Sequence, residues 1–281
     1  MKKRKIVDQE FAHTLGIYGF DSNCQVPTKT FVWDRTTDYK PNELVIFTTR
    51  CIPSALSING IRKIAWLTEP RSLYPHIYEG LTQCSHLFHK VVSSNKDFVS
   101  QLTNGVYVPI ASTWIDERDW GVHDKKEDVS IIYSSKVLLP GHKLRHEVAA
   151  KYPEVHRYGS GSGNDKLSGP LESKAMALKD YRFSIVIENE RTNGYFTEKL
   201  IDSLVLGTIP IYWGDPQIGE TFDKKGILSF NSMEELDVIM NSNLEEYYNL
   251  NLPSVIANQK LSRNFQSADE VLMSHLGNLY D

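Results

Sequence analysis

Cysteine is scarce: Cys24, Cys51 and Cys84 are the only three in 281 residues. An odd count at wide spacing, with no C-x-x-C pair, argues against a disulfide framework or a structural zinc site and fits a reducing compartment. No apolar run approaches the length of a membrane span. The start, Met1 to Glu10, is basic but has no apolar core, so it does not read as a signal peptide. Positive charge is not in excess either: 31 Lys and Arg stand against 35 Asp and Glu, for a formal charge of −4. That balance speaks against a nucleic-acid-binding surface as the main business of the chain. There is no Asp-x-Asp motif, so the sequence demands no catalytic metal, although stimulation by a divalent ion stays open. Internal repeats, low-complexity tracts and basic amphipathic tails are missing. Gly159-Ser-Gly-Ser-Gly-Asn-Asp165 does not match G-x-G-x-x-G in register. Lys166 to Pro170 behind it is a poor helix start, so a flexible loop is expected there and a dehydrogenase is disfavoured.

What is present centres on residues 181–214. Phe183 to Ile187 is a short continuous apolar run, as expected of a strand covered on both faces of a parallel sheet. A polar loop, Asn189 to Gly194, follows. Leu200, Ile201, Leu204 and Val205 then recur at helical spacing, with Thr197 as N-cap and Gly207 as the C-terminal stop. Thr208 to Tyr212 is the next strand, which completes a βαβ unit. The N-terminus of such a helix presents unpaired N–H groups to anions, at the strand end where open α/β sheets bind ligands. Lys199 in the first turn opposes the helix dipole by several tenths of a kcal/mol to about 1 kcal/mol, a conflict that a bound phosphate would relieve.

The runs Ile187-Glu-Asn189, Gly194-Tyr-Phe-Thr-Glu-Lys-Leu200 and Ile209-Pro-Ile-Tyr-Trp-Gly214 resemble the donor-binding signature of the α-1,3/4-fucosyltransferases, glycosyltransferase family 10. The likeness covers roughly thirty residues and departs at Glu190, where the family usually has a small hydroxyl residue. It implies an α/β chain of two Rossmann-like domains facing across a cleft, the GT-B arrangement, with GDP-fucose as donor and a glycan hydroxyl as acceptor. Golgi members carry a membrane anchor and cysteine bridges that this chain lacks. A soluble cytoplasmic enzyme of a bacterial cell or a virus-infected host is therefore expected.

In chain order, Leu44 to Thr48, Lys63 to Thr68, His86 to Ser93 and Gly105 to Ile110 are strand candidates, with helical stretches near Leu73 to Leu81 and Asn95 to Leu102. Alternation of this kind predicts a first domain over residues 1–125, on the acceptor side, and a donor-binding domain over 126–281. Asp116 to Asp119 and Asp124 to Asp128 read as solvated connector. Val129 to Ser135 opens the second sheet. Lys143 to Ala150 is a helix candidate, preceded by an insertion, Val137 to His142, that leaves its register open. A strand is expected at Val155 to Tyr158 and another at Lys225 to Phe230. Ser232 and Glu235 form a capping-box pattern before a helix, and the rest is helical with Pro253 as a break.

The resemblance implies that Arg145 contacts the nucleotide phosphates, against a plain reading as a solvent-facing helix residue. Lys199, Thr197 and backbone amides would hold the diphosphate, with Asn189 nearby. Tyr195 would lie beside the diphosphate or stack on the donor, unless it simply packs the loop, and Glu198 would bind sugar or ribose hydroxyls. Glu188 follows an apolar strand, so burial would raise its pKa; it could serve as a proton acceptor or bind ribose or a loop amide. An inverting transfer needs a base for the acceptor hydroxyl. Glu69, beside Pro70 at a carboxyl strand end, is the candidate, and a surface glutamate beside a turn proline is its bland alternative. Two other functions remain open at this point: transfer from another nucleotide sugar, and a catalytically silent nucleotide-sugar-binding module.

Overall fold

The computed structural model describes residues 1–8, 28–161, 171 and 173–279. Cys24 and most of the glycine-rich stretch, residues 162–165, lie outside them. The first sheet is built from β1 (Lys2–Val7), β2 (Phe31–Asp34), β3 (Leu44–Thr48), β4 (Arg62–Leu67), β5 (Lys90–Ser93) and β6 (Gly105–Tyr107), all parallel, in the order β2-β1-β3-β4-β5-β6. All five residues of β3 are buried, because helices cover both faces. α1 (Ile52–Ala55), α2 (Pro75–Cys84) and α3 (Lys96–Val99) connect these strands. Ile77, Tyr78, Leu81 and Phe98 pack on Val45, Phe47, Leu67 and Val91 to form the core.

Two differences from the sequence reading have clear causes. β1 and β2 escape the reading because Lys2 to Lys5 looks solvated. Lys5 is instead buried and pairs with Asp34 at 3.2 Å and Asp38 at 2.8 Å. The strand expected from His86 starts only at Lys90, since Ser85–Leu87 forms a 3-10 turn, and the Asn104 amide donates to the Ser85 and Phe88 carbonyls.

The second sheet is also parallel, in the order β11-β10-β9-β7-β8. Its elements in chain order are β7 (Glu127–Ile132), α4 (Pro140–Lys151), β8 (His156–Tyr158), β9 (Tyr181–Ile187), α5 (Glu198–Val205), β10 (Ile209–Trp213), β11 (Leu228–Ser229), α6 (Met233–Met240), α7 (Leu244–Leu250) and α8 (Leu252–Ser262). Ile131, Phe183, Ile185 and Ile211 meet Val148, Leu236, Tyr248 and Val255 in its core. The connector is solvated as its charge suggests, with Asp124, Lys126, Glu127 and Asp128 exposed, and Lys125 is the exception. Glu127 and Asp128 begin β7, and the Lys125 ammonium donates to the carbonyls of Lys179 and Leu206 and to Thr208 Oγ1, each at 2.9 Å. Burial lowers the Lys125 pKa to about 7, only partly opposed by Asp180.

The strand at Lys225 to Phe230 shrinks to two residues because Asp223 caps a 3-10 turn over Lys224–Gly226. Ser232 caps α6 through Glu235 N at 3.3 Å, while the Glu235 carboxylate reaches one residue past the N-cap, to Asn231 N at 2.6 Å. Pro253 sits in the first turn of α8, where a missing N–H costs nothing.

The last helix, α9 (Ala268–Leu276), packs with the first sheet. Trp33 Nε1 donates to Asp269 Oδ1 at 2.7 Å, and Glu270 accepts from Thr30 N at 2.9 Å. One compact unit is accordingly Met1–Ser112 with Asn193–Tyr195 and Gln266–Asp281; Thr113–Thr192 with Phe196–Phe265 makes the other. Among the described residues, no helix is long and apolar enough to cross a membrane.

Candidate functional site

The βαβ unit forms as its sequence suggests: β9 and β10 pair in parallel, with Ile185 opposite Ile211. α5 buries Leu200, Ile201, Leu204 and Val205 and ends at Gly207, whose φ of +65° suits glycine. At the carboxyl end of β9 the chain places Glu188, which is 0% exposed. Its carboxylate accepts from Thr197 N at 2.9 Å and from Thr197 Oγ1 at 2.7 Å. Thr197 is the N-cap of α5 and accepts in turn from the Lys199 amide at 3.4 Å and its ammonium at 3.0 Å. Glu188 thus caps the cap.

Lys199 Nζ lies 3.1 Å from Glu198 Oε1 and 3.6 Å from Glu188 Oε2. The dipole conflict is therefore already relieved inside the protein, and a lysine in this turn does not by itself call for a bound phosphate. Burial would lower the Lys199 pKa, but Glu198 and Glu188 outweigh it and raise it. Burial would raise Glu198, yet Lys199 and Lys174 bring it down to about 2. For Glu188 burial wins over Lys199 and Thr197, so its pKa is raised.

Arg145 is not solvent-facing. It is 5% exposed on α4, donating to the Ile187 carbonyl through Nε at 2.9 Å and through Nη2, and to Asn189 Oδ1 at 3.0 Å. It straps the end of β9 to the loop behind it. The residues read as an insertion supply the first turn of α4, and the Gly141 amide donates to the Asn189 carbonyl at 3.0 Å. His142 beside it is lowered to about 4 by burial and by Arg145, so it is neutral at pH 7.

Arg145, Glu188, Asn189, Thr197, Glu198 and Lys199 are thereby brought together in the second unit. Tyr195 is buried and belongs to the first unit. Glu69, half-buried, also belongs to the first unit, just beyond β4. Its backbone is fixed by Thr49 Oγ1, which accepts from Glu69 N at 3.4 Å and from the preceding Thr68 N at 2.9 Å, and by Tyr78, whose hydroxyl donates to the Glu69 carbonyl at 2.9 Å. Glu190 is buried and accepts from Thr192 Oγ1 at 2.8 Å, so a longer side chain at that position closes on its own loop.

The sequence reading overlooked Asp202 and Lys174. Asp202 is buried one turn beyond Glu198 and accepts from Thr113 Oγ1 at 2.8 Å, Trp114 N at 2.7 Å and Lys174 Nζ at 2.7 Å. The available signal for Asp202 was a second carboxylate one turn beyond Glu198, on the helix whose Leu200, Ile201, Leu204 and Val205 are buried. Among the described residues, no group of three or more His, Cys, Asp or Glu could hold a metal ion.

The model of glycosyltransferase family 10 (fucosyltransferase), C-terminal part, matches residues 123–244, which include Arg145, Lys174, Glu188, Asn189, Thr197, Glu198, Lys199 and Asp202. Over that segment, under half of its length, the chain is similar to glycosyltransferase family 10. An alpha-(1,3)-fucosyltransferase of Helicobacter pylori is 35% identical to this chain over 79 residues, 28% of this chain and 16% of that protein. The match thus spans about a sixth of the curated relative. A crystal structure of an alpha1,3-fucosyltransferase with GDP shares the fold over 100% of this chain and 91% of its own, at a TM-score of 0.60 and 15% identity. An Anabaena protein in complex with UDP-glucose is similar at a TM-score of 0.60 and 9% identity, over 84% of this chain and 78% of its own. The fold is accordingly the GT-B type, with two Rossmann-like units.

Proposed function

We propose that the chain is an inverting fucosyltransferase of the α-1,3 type, moving fucose from GDP-fucose to a hydroxyl of a glycan. The observation that carries this reading is the group at the carboxyl end of β9, where Lys199, Arg145 and the start of α5 converge within the family-matched segment. Cations and a helix N-terminus suit a diphosphate, and their charge would stabilise it as it leaves. Thr197 and Asn189 flank the diphosphate, Glu198 meets ribose or sugar hydroxyls, and Tyr195 lies beside the diphosphate or stacks on the donor. Glu69 accepts the acceptor's proton while the acceptor oxygen bonds to the anomeric carbon. The bond from that carbon to the diphosphate oxygen breaks on the opposite side, inverting the configuration. Lysine and arginine meet the charge, with a divalent metal as stimulant only, so turnover is expected to persist in EDTA.

The test is thermal-shift titration with GDP-fucose, GDP-mannose, UDP-galactose, GDP and UDP, followed by turnover with GDP-fucose. Stabilisation by GDP and GDP-fucose is expected. Preference for a uridine donor would replace the fucosyl reading while keeping the site. Absence of any shift would favour a silent module. Glu69→Gln is expected to cut turnover by about 10²–10⁴ with donor binding retained. Unchanged turnover would remove Glu69 as the base.

A further inference from the structure

Lys174 precedes β9 and lies 28 residues from Asp202, yet its ammonium is built into the same network as the α5 N-terminus. It is 2.7 Å from Asp202 Oδ2, 3.7 Å from Glu198 Oε1 and 3.8 Å from the centre of the Trp114 ring, with the side chain only 17% exposed. The charged groups therefore alternate along one line: Glu188, Lys199, Glu198, Lys174, Asp202. With Arg145 beside them, three carboxylates face three cations. Glu198 is the shared member, held by Lys199 on one side and Lys174 on the other.

We propose that Lys174 is a positioning residue for Lys199: by taking part of the charge of Glu198, it leaves the Lys199 ammonium free to turn to a diphosphate. Without Lys174, Glu198 has Lys199 as its one close cation among the described residues and holds it against the helix. Attraction between unit charges under 4 Å apart is strong in a site largely shut from water, so a second cation changes how firmly Lys199 is held. The stacked Trp114 ring adds to this by fixing where the Lys174 ammonium sits. The inference rests on the nucleotide-sugar reading of the site.

The test compares GDP and guanosine binding, by calorimetry and competition, for wild type, Lys174→Gln and Lys174→Arg. Gln can still donate to Asp202 but carries no charge; if it fails to fold, Lys174→Met keeps the stem over Trp114. Lys174→Gln is expected to weaken GDP about tenfold and leave guanosine unchanged, with Lys174→Arg restoring GDP to within about twofold of wild type. A merely structural lysine would weaken both ligands together, and that result overturns the proposal, as does a GDP affinity that does not move or that Arg fails to rescue. Wild type with no preference for GDP over guanosine would overturn the donor reading and this inference with it. Preference in wild type that survives in Lys174→Gln would overturn only the role of Lys174.

Discussion

Lys199 Nζ and Glu188 Oε2 lie 3.6 Å apart, and both side chains bond to the hydroxyl of Thr197 between them. One residue opens α5 and the other ends β9, so the pair ties strand to helix at the point where a donor diphosphate is proposed to bind. Lys199→Ala would leave Glu188 buried without its closest cation. Stability is expected to fall by roughly 1–3 kcal/mol. Stabilisation by GDP is expected to disappear as well, and thermal-shift titration reads both effects. A variant that still responds to GDP like wild type would remove Lys199 from the phosphate site.

The same pair predicts that binding takes up a proton. Burial already raises Glu188 above its ordinary value of 4.5, and Lys199 is what restrains the rise. A diphosphate that claims Lys199 weakens that restraint, so Glu188 binds its proton more tightly in the complex than in the free protein. Linkage then makes GDP affinity fall as the pH rises through the range between the free and bound pKa values. Calorimetry in buffers of different ionisation enthalpy should show proton uptake in wild type and none in Glu188→Gln. Equal heats in all buffers would refute the coupling.

Glu198 shows the opposite sign. Its pKa of about 2 lies below the ordinary 4.5, because Lys199 and Lys174 outweigh the effect of burial. A depressed carboxylate contributes stability above pH 4.5 that is lost as the pH falls toward 2. The contribution is on the order of 3 kcal/mol. Asp202 and Glu188, raised by burial, work the other way, so the quantity to follow is the difference between wild type and Glu198→Gln. Urea unfolding should show that gap at pH 6 and its progressive closure as the pH falls from 4.5 toward 2. A gap independent of pH would mean that Glu198 acts through packing.

How far the sequence discloses the site follows from distance along the chain. Phe183 to Leu206 reads well because a continuous apolar run and a 3.6-residue stripe sit side by side, and Thr197 and Gly207 mark the ends of the helix. The N-terminal strands are hidden because Lys5 looks like surface until Asp34 and Asp38 fold against it. Lys174 and Asp202 are hidden because nothing in local pattern joins residues 28 apart. Lys199 was legible as a residue but not as a charge: its partners Glu188 and Glu198 stand nearby in the sequence, yet only the fold shows that their carboxylates turn toward it.

Gly141 was read as part of an insertion, and the structure makes it the tightest contact behind the site. A Cβ built on it would lie 1.7 Å from the Glu188 carbonyl oxygen, a backbone atom that cannot rotate away. The Gly141 amide meanwhile donates to the Asn189 carbonyl at 3.0 Å, so α4 and the end of β9 cannot simply separate. Gly141→Ala is therefore expected to destabilise by roughly 2–3 kcal/mol, as overpacking does. The displaced carbonyl adjoins Ile187 and Asn189, both held by Arg145, so GDP binding should weaken in the folded fraction too. Gly80→Ala is the control: it lies within α2, a Cβ there meets nothing within 4 Å, and it should gain up to about 1 kcal/mol. Urea unfolding and GDP calorimetry on both variants decide the matter. A Gly141→Ala protein as stable as wild type, with unchanged GDP affinity, would show that α4 does not set the position of Glu188.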